Sequence, residues 1–98
     1  LCGQVPFHPV TGEVVGNGMK EQAVQTLTNM KAVLEAAGLA VTDIAKTTVF
    51  VTNMDDFAAF NEVYAAFMGE HRPARVCVEV SNIAHGCLLE MDAICFKE

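Results

Sequence analysis

At 98 residues, 52% of them hydrophobic, and with a formal net charge of −6, the chain is sized for one packed core, so residues 1–98 read as a single domain. It holds no apolar run long enough to span a membrane and no basic leader followed by an apolar stretch. Its acidity argues against nucleic acid and against an anionic membrane surface as partners, and with Arg72 and Arg75 as its only arginines no basic patch can be drawn. From the start of the chain, residues 1–6 read as a short strand, closed by prolines and the turn signal Pro9-Val10-Thr11-Gly12. Residues 13–15 read as a brief return strand. Gly16-Asn17-Gly18 then breaks the chain before a helix over 19–37. Ala23, Leu27, Met30, Leu34 and Ala37 recur at offsets of 4, 3, 4 and 3 and draw one apolar stripe. Gly38 supplies the stop, because a left-handed cap costs glycine little.

Residues 43–52 form the next predicted strand, with Ala45, Thr47, Val49 and Val51 on one face and Lys46, Thr48, Phe50 and Thr52 on the other. Asn53 to Asp56 offers N-cap candidates and acidic first-turn residues for a second helix running to Met68. Its buried stripe is Phe57, Phe60, Tyr64 and Phe67. Gly69 ends the helix, and Pro73 keeps the adjoining segment extended.

The run Arg72-Pro73-Ala74-Arg75-Val76-Cys77-Val78-Glu79-Val80 reads as a strand with Val76, Val78 and Val80 on an apolar face and Arg75, Cys77 and Glu79 on a polar one. A last strand over 88–94 places Leu89, Met91 and Ala93 on one face and Glu90 and Asp92 on the other. If these two strands pair through the intervening loop, a guanidinium and carboxylates collect on one side of the sheet. That combination suits a small anionic substrate beside an activated water. On strand patterning alone, Arg75 is equally read as pairing with Glu90 or Asp92 across the strands.

The four cysteines, Cys2, Cys77, Cys87 and Cys95, form no C-x-x-C pair and have no ligand-like spacing, and no two histidines have metal-ligand spacing, so no metal site is expected. Cys87 and Cys95 read as small apolar fillers, and free buried thiols fit a reducing, cytoplasmic compartment. The order β(β)αβαββ describes an α+β sandwich with two helices on one face of a mixed sheet. The other face, read as carrying Arg75, Cys77, Glu79, Glu90, Asp92, Phe50, Leu88 and Ile94, is too apolar for free solvent and too charged for a dry core. Burial against other subunits is expected there.

The segments Gly3-Gln4-Val5-Pro6, Asn29-Met30-Lys31-Ala32-Val33-Leu34-Glu35-Ala36-Ala37-Gly38, Lys46-Thr47-Thr48-Val49-Phe50-Val51 and Pro73-Ala74-Arg75 resemble the RidA/YjgF family of enamine/imine deaminases, in order along nearly the whole chain. The resemblance implies a chorismate-mutase-like two-layer subunit and a homotrimer with active sites at subunit interfaces. It also implies hydrolysis of small 2-imino acids to 2-oxo acids and ammonia, with no cofactor. By position, Arg75 matches the family's carboxylate-binding arginine, and Glu90 the acidic residue that positions or activates water. Asn61 matches a cleft-lining asparagine, Gly3 a backbone position near the ligand, and Cys77 a site whose backbone, not its thiol, meets the ligand.

The chain also departs from the family. It starts inside what is normally the second strand, so the N-terminal strand and a cleft-lining aromatic are expected to be missing. Cys2 stands where a serine often precedes the glycine, and the loop between His71 and Pro73 is shorter than usual. Asp92 reads as a structural partner to a charge within the sheet. Two expectations remain from different classes. One is a deaminase using Arg75 and Glu90. The other is a non-catalytic trimeric module that binds small 2-oxo acids or partner proteins.

Overall fold

The computed structural model describes residues 3–97. Two α-helices, α1 (Met19–Ala36) and α2 (Phe57–Met68), cover one face of a three-stranded sheet made of β1 (Ile44–Val51), β2 (Ala74–Glu79) and β3 (Leu89–Cys95). The α+β class and the two-layer arrangement are as the sequence pattern implies. None of the helices among the described residues is long and apolar enough to cross a membrane.

α1 buries Met19, Gln22, Ala23, Thr26, Leu27, Met30 and Leu34, a wider stripe than apolar spacing alone gives. Gln22 belongs inside because both ends of its amide are used: Nε2 donates to the Gly16 carbonyl at 3.1 Å and Oε1 accepts from Leu88 N at 2.8 Å. Ala37 falls outside the stripe and is exposed, since the helix has already ended. Gly38 takes φ +75°, and the amides of Gly38 and Leu39 return to the carbonyls of Glu35 and Leu34, a reciprocal C-terminal cap.

The sheet order is β2-β1-β3, with β1 parallel to β2 and antiparallel to β3. The expected pairing of the Arg75 strand with the Glu90 strand therefore does not occur. Parallel strands need a crossover, and α2 supplies one between β1 and β2. The chain from Val80 to Leu88 then crosses to the far edge, so β1 is flanked on both sides.

The register also reverses the expected faces of β2. Arg75 pairs with Thr47 and Cys77 with Val49, and cross-strand partners point to the same side. Thr47, Val49, Val51, Leu89, Met91 and Ala93 are all buried under the helices, so Arg75 and Cys77 face the helices too. Val76 and Val78 lie on the open face, 43% and 38% exposed. Alternation told the two faces apart correctly but not which was inward. A register irregularity between Ile44 and Lys46 makes a similar exchange in β1: Ile44 is buried and Ala45, expected inside, is exposed.

In α2 the buried positions are Phe60, Tyr64 and Met68, while Phe57 and Phe67 are half-buried. A short 3-10 turn, Met54–Asp56, precedes the helix, with Asn53 Oδ1 accepting from Asp55 N at 3.0 Å and Glu79 Oε1 from Met54 N at 2.8 Å. In place of the strands expected over 1–6 and 13–15, the described residues form two isolated bridges, Gln4 to Met91 and Phe7 to Val14. The open sheet face presents Phe50, Val76, Val78 and Ile94 with Glu90 and Asp92, and Phe96 comes directly after β3.

Candidate active site

Arg75 lies on an aromatic shelf. Phe57, Asn61 and Tyr64 fall at i, i+4 and i+7 of α2 and therefore share one helix face, which lies over β2. The guanidinium carbon is 4.7 Å from the Tyr64 ring centroid and 5.1 Å from that of Phe57. Nη1 donates to Asn61 Oδ1 at 2.8 Å. Tyr64 is itself fixed by a buried 2.9 Å hydrogen bond between its hydroxyl and Thr47 Oγ1, so the shelf is anchored on the central strand. Arg75 makes no ion pair among the described residues, where Lys20 to Glu62, at 2.7 Å, is the only salt bridge. The cross-strand pairing of Arg75 with Glu90 or Asp92 is thus excluded within one chain, and Asp92 has no charged partner among the described residues.

The guanidinium opens into a cleft of about 440 Å³ lined by Asn61, Tyr64, Ala65, Arg72, Pro73 and Arg75. No carboxylate among the described residues lines it. In a chain of net charge −6 this is a local positive site, suited to a small anion through a two-to-two guanidinium–carboxylate match.

Cys77, two residues along the same face, is half-buried and packs against the core. Burial pushes its thiol above the ordinary range, and the Arg75 charge opposes this more weakly. A protonated thiol is a poor nucleophile. Cys87 is buried and its thiol is raised, first by burial and then by the Glu90 charge; Cys95 is half-buried. Cys2 lies outside the described residues.

Glu90 and Gly3 come together, but on the other side of the sheet. Gln4 bridges Met91, with its N–H donating to the Met91 carbonyl at 2.6 Å and its carbonyl accepting from Met91 N at 2.9 Å. Asn29 Nδ2 on α1 donates to the carbonyls of Val5 and Phe7, at 2.9 and 2.8 Å, and ties this segment down. The result sets Gly3 so close to Glu90 that a Cβ on it would meet the Glu90 Cδ and Oε2 at 2.9 Å. Glu90 pairs in register with Phe50, and both line a hollow of about 250 Å³ with Val80, Asn82, Ile83 and Ala84.

One chain therefore keeps two pairs of candidate residues apart: Arg75 with Asn61 under the helices, and Glu90 with Gly3 on the open face. Sequence reasoning placed Phe57 and Tyr64 in the buried stripe and missed their contact with Arg75. It also left Thr47 and Arg72 without a role. The i, i+4, i+7 spacing around Asn61 was the available signal.

The family model described as Endoribonuclease L-PSP matches residues 1–97. The chain belongs to that family, the RidA/YjgF proteins. It is 50% identical over 98 residues to a RutC family protein of Pyrococcus horikoshii, covering 100% of this chain and 78% of that one. It is 49% identical over 98 residues to the 2-iminobutanoate/2-iminopropanoate deaminase of Escherichia coli strain K12, covering 97% of this chain and 76% of the relative. Among solved structures, Escherichia coli TdcF with bound serine superposes with a TM-score of 0.92 at 44% identity, over 99% of this chain and 78% of that one.

Proposed function

We propose that this RidA/YjgF protein hydrolyses short 2-imino acids to 2-oxo acids and ammonia without a cofactor, as a homotrimer with sites at its subunit boundaries. The observation that carries this reading is Arg75: a guanidinium held by Asn61, Tyr64 and Phe57, with no carboxylate partner among the described residues, facing a ligand-sized cleft. The name of the Escherichia coli deaminase supports the substrate class.

The substrate carboxylate pairs with Arg75, which fixes the plane of the imine. Water attacks the iminium carbon while Glu90 orients it and accepts its proton. Glu90 returns that proton to the nitrogen of the tetrahedral intermediate; the C–N bond then breaks as the C=O bond forms, and the hydroxyl proton passes to the departing ammonia as ammonium. Water and iminium are consumed; 2-oxo acid and ammonium are produced. Because Arg75 and Glu90 point to opposite faces of one sheet, a site with both draws them from two copies. The open face, with Ile94 61% and Phe96 69% exposed, is the surface that such an assembly would cover.

The family model's description names an endoribonuclease. A chain of net charge −6 with two arginines offers little to hold a polyanion, whose binding scales with the number of phosphates neutralised. The deciding experiment generates 2-iminobutyrate in situ and compares its loss with the buffer rate, alongside calorimetry with 2-oxobutyrate and sedimentation for mass. Hydrolysis well above background in a particle of three chains supports the proposal. Binding of 2-oxobutyrate with no rate above background would establish a binding module instead.

A further inference from the structure

Both arginines of the chain line the same cleft, and a substrate with one carboxylate needs only one of them. Arg72 is placed there by its chain context. It precedes Pro73, and the residue before proline is confined to extended conformations, so its backbone direction is set. Its Nη1 donates to the carbonyls of Gly69 and His71, the latter at 3.0 Å, at the C-terminal end of α2, where a cation is favoured. These bonds hold the guanidinium at the rim through one nitrogen. Among the described residues no bond is made from its Nε or Nη2 and no carboxylate pairs with it, so most of the five guanidinium donors are left for a ligand. Both guanidinium-bearing side chains line one cleft of about 440 Å³, which has room for a small diacid with one carboxylate at each arginine.

We propose that Arg72 is a second carboxylate-binding group, so that the cleft favours 2-imino acids derived from amino dicarboxylic acids, whose α-carboxylate meets Arg75 and whose side-chain carboxylate meets Arg72. That the substrate is an imine rests on the deaminase reading; the binding geometry itself does not need turnover. A polar site built for a second carboxylate discriminates against analogues lacking it, because its donors are then left without a partner.

The test is calorimetric titration of the intact protein with 2-oxoglutarate and with 2-oxobutyrate, repeated on Arg72→Met and Arg72→Lys. The wild-type protein should bind 2-oxoglutarate at least about tenfold more tightly, the order of a single charge-assisted contact. Arg72→Met should bring the ratio of affinities towards one, and Arg72→Lys should keep part of it. A wild-type ratio near one overturns the inference. So does an Arg72→Met variant in which both affinities fall together, the behaviour expected if Arg72 only caps α2. A folded Arg72→Met protein that keeps the wild-type ratio overturns it as well. Hydrolysis rates on the two corresponding imines separate the readings. A tenfold binding ratio without turnover leaves the diacid site standing and removes the deaminase, whereas turnover of 2-iminobutyrate with a ratio near one does the reverse.

Discussion

Two inactive variants of this protein should restore each other. Arg75→Ala removes the carboxylate fork, and Glu90→Gln removes the base while keeping its shape. Each should slow imine hydrolysis by about 10²–10⁴, the scale of a positioned acid–base group, and Arg75→Ala should also abolish 2-oxobutyrate binding. The two side chains lie on opposite faces of one sheet, so the proposed deaminase site would take Arg75 from one copy and Glu90 from another. In trimers reassembled from equal amounts of both variants, about one site in four receives a native residue at both positions. The mixture should therefore recover roughly a quarter of wild-type activity from parents with about 1% or less. The assay unfolds the two variants together, refolds them, confirms the trimer mass, and monitors 2-iminobutyrate. Each parent refolded alone is the control. Recovery no better than the parental mean, in a particle of the right mass, would refute the idea that the two groups meet across a boundary.

Gly3→Ala introduces a Cβ 2.9 Å from the Glu90 carboxyl, well inside the contact optimum of about 3.5–4.0 Å; the flexible Glu90 should swing away, lowering kcat by about tenfold with a smaller change in 2-oxobutyrate Kd. An equal loss in both would mean that Gly3 acts on the ligand and not through Glu90. Cys77→Ala should retain most hydrolysis, and a loss beyond about 100-fold, ~2.7 kcal/mol of barrier, with the fold intact would point to thiol chemistry. Since burial raises the Cys77 thiol, its alkylation should be slow at neutral pH and should still be climbing with pH beyond about 8.5, where an ordinary thiol begins to level off; fast labelling at pH 7 would contradict the buried placement.

The elements themselves were legible because periodicity and punctuation agree. Ala23, Leu27, Met30 and Leu34 trace the core side of α1, and Gly38 and Gly69 stop the helices where the pattern ends. The strand order was not legible. Alternation within β2 and β3 is local, whereas their separation by β1 depends on the α2 crossover and on a connection long enough to pass the central strand. For the same reason the inward face of β2 was misread. Three valines looked like core, but β2 is an edge strand whose inner neighbours are Asn61 and Tyr64, and Val76 and Val78 face outward. Of the candidate site, Arg75 and Glu90 stood out from strand patterning, whereas Asn61 and Gly3 were named only from the family resemblance. That they form two separate pairs is a property of the register.

The edge position of β2 also explains how an acidic chain keeps a usable arginine. Inside a sheet, a cation is commonly neutralised by a carboxylate, and that pairing would cancel the charge a substrate needs. Here the counter-group is aromatic. Rings of Tyr64 and Phe57 within 5.1 Å of the guanidinium contribute on the order of 0.5–2 kcal/mol to holding it, without supplying a negative charge. Asn61 takes one donor and adds no charge. Thr47, from the central strand, satisfies the Tyr64 hydroxyl so that the ring can lie buried without an unpaired polar atom. The arrangement holds the guanidinium in place while leaving its charge and most of its donors directed at the cleft. Replacing Asn61 by Asp would keep the size and the contact but add a carboxylate, converting a held cation into a closed ion pair. That neutralisation, more than any loss of packing, is what the aromatic shelf avoids.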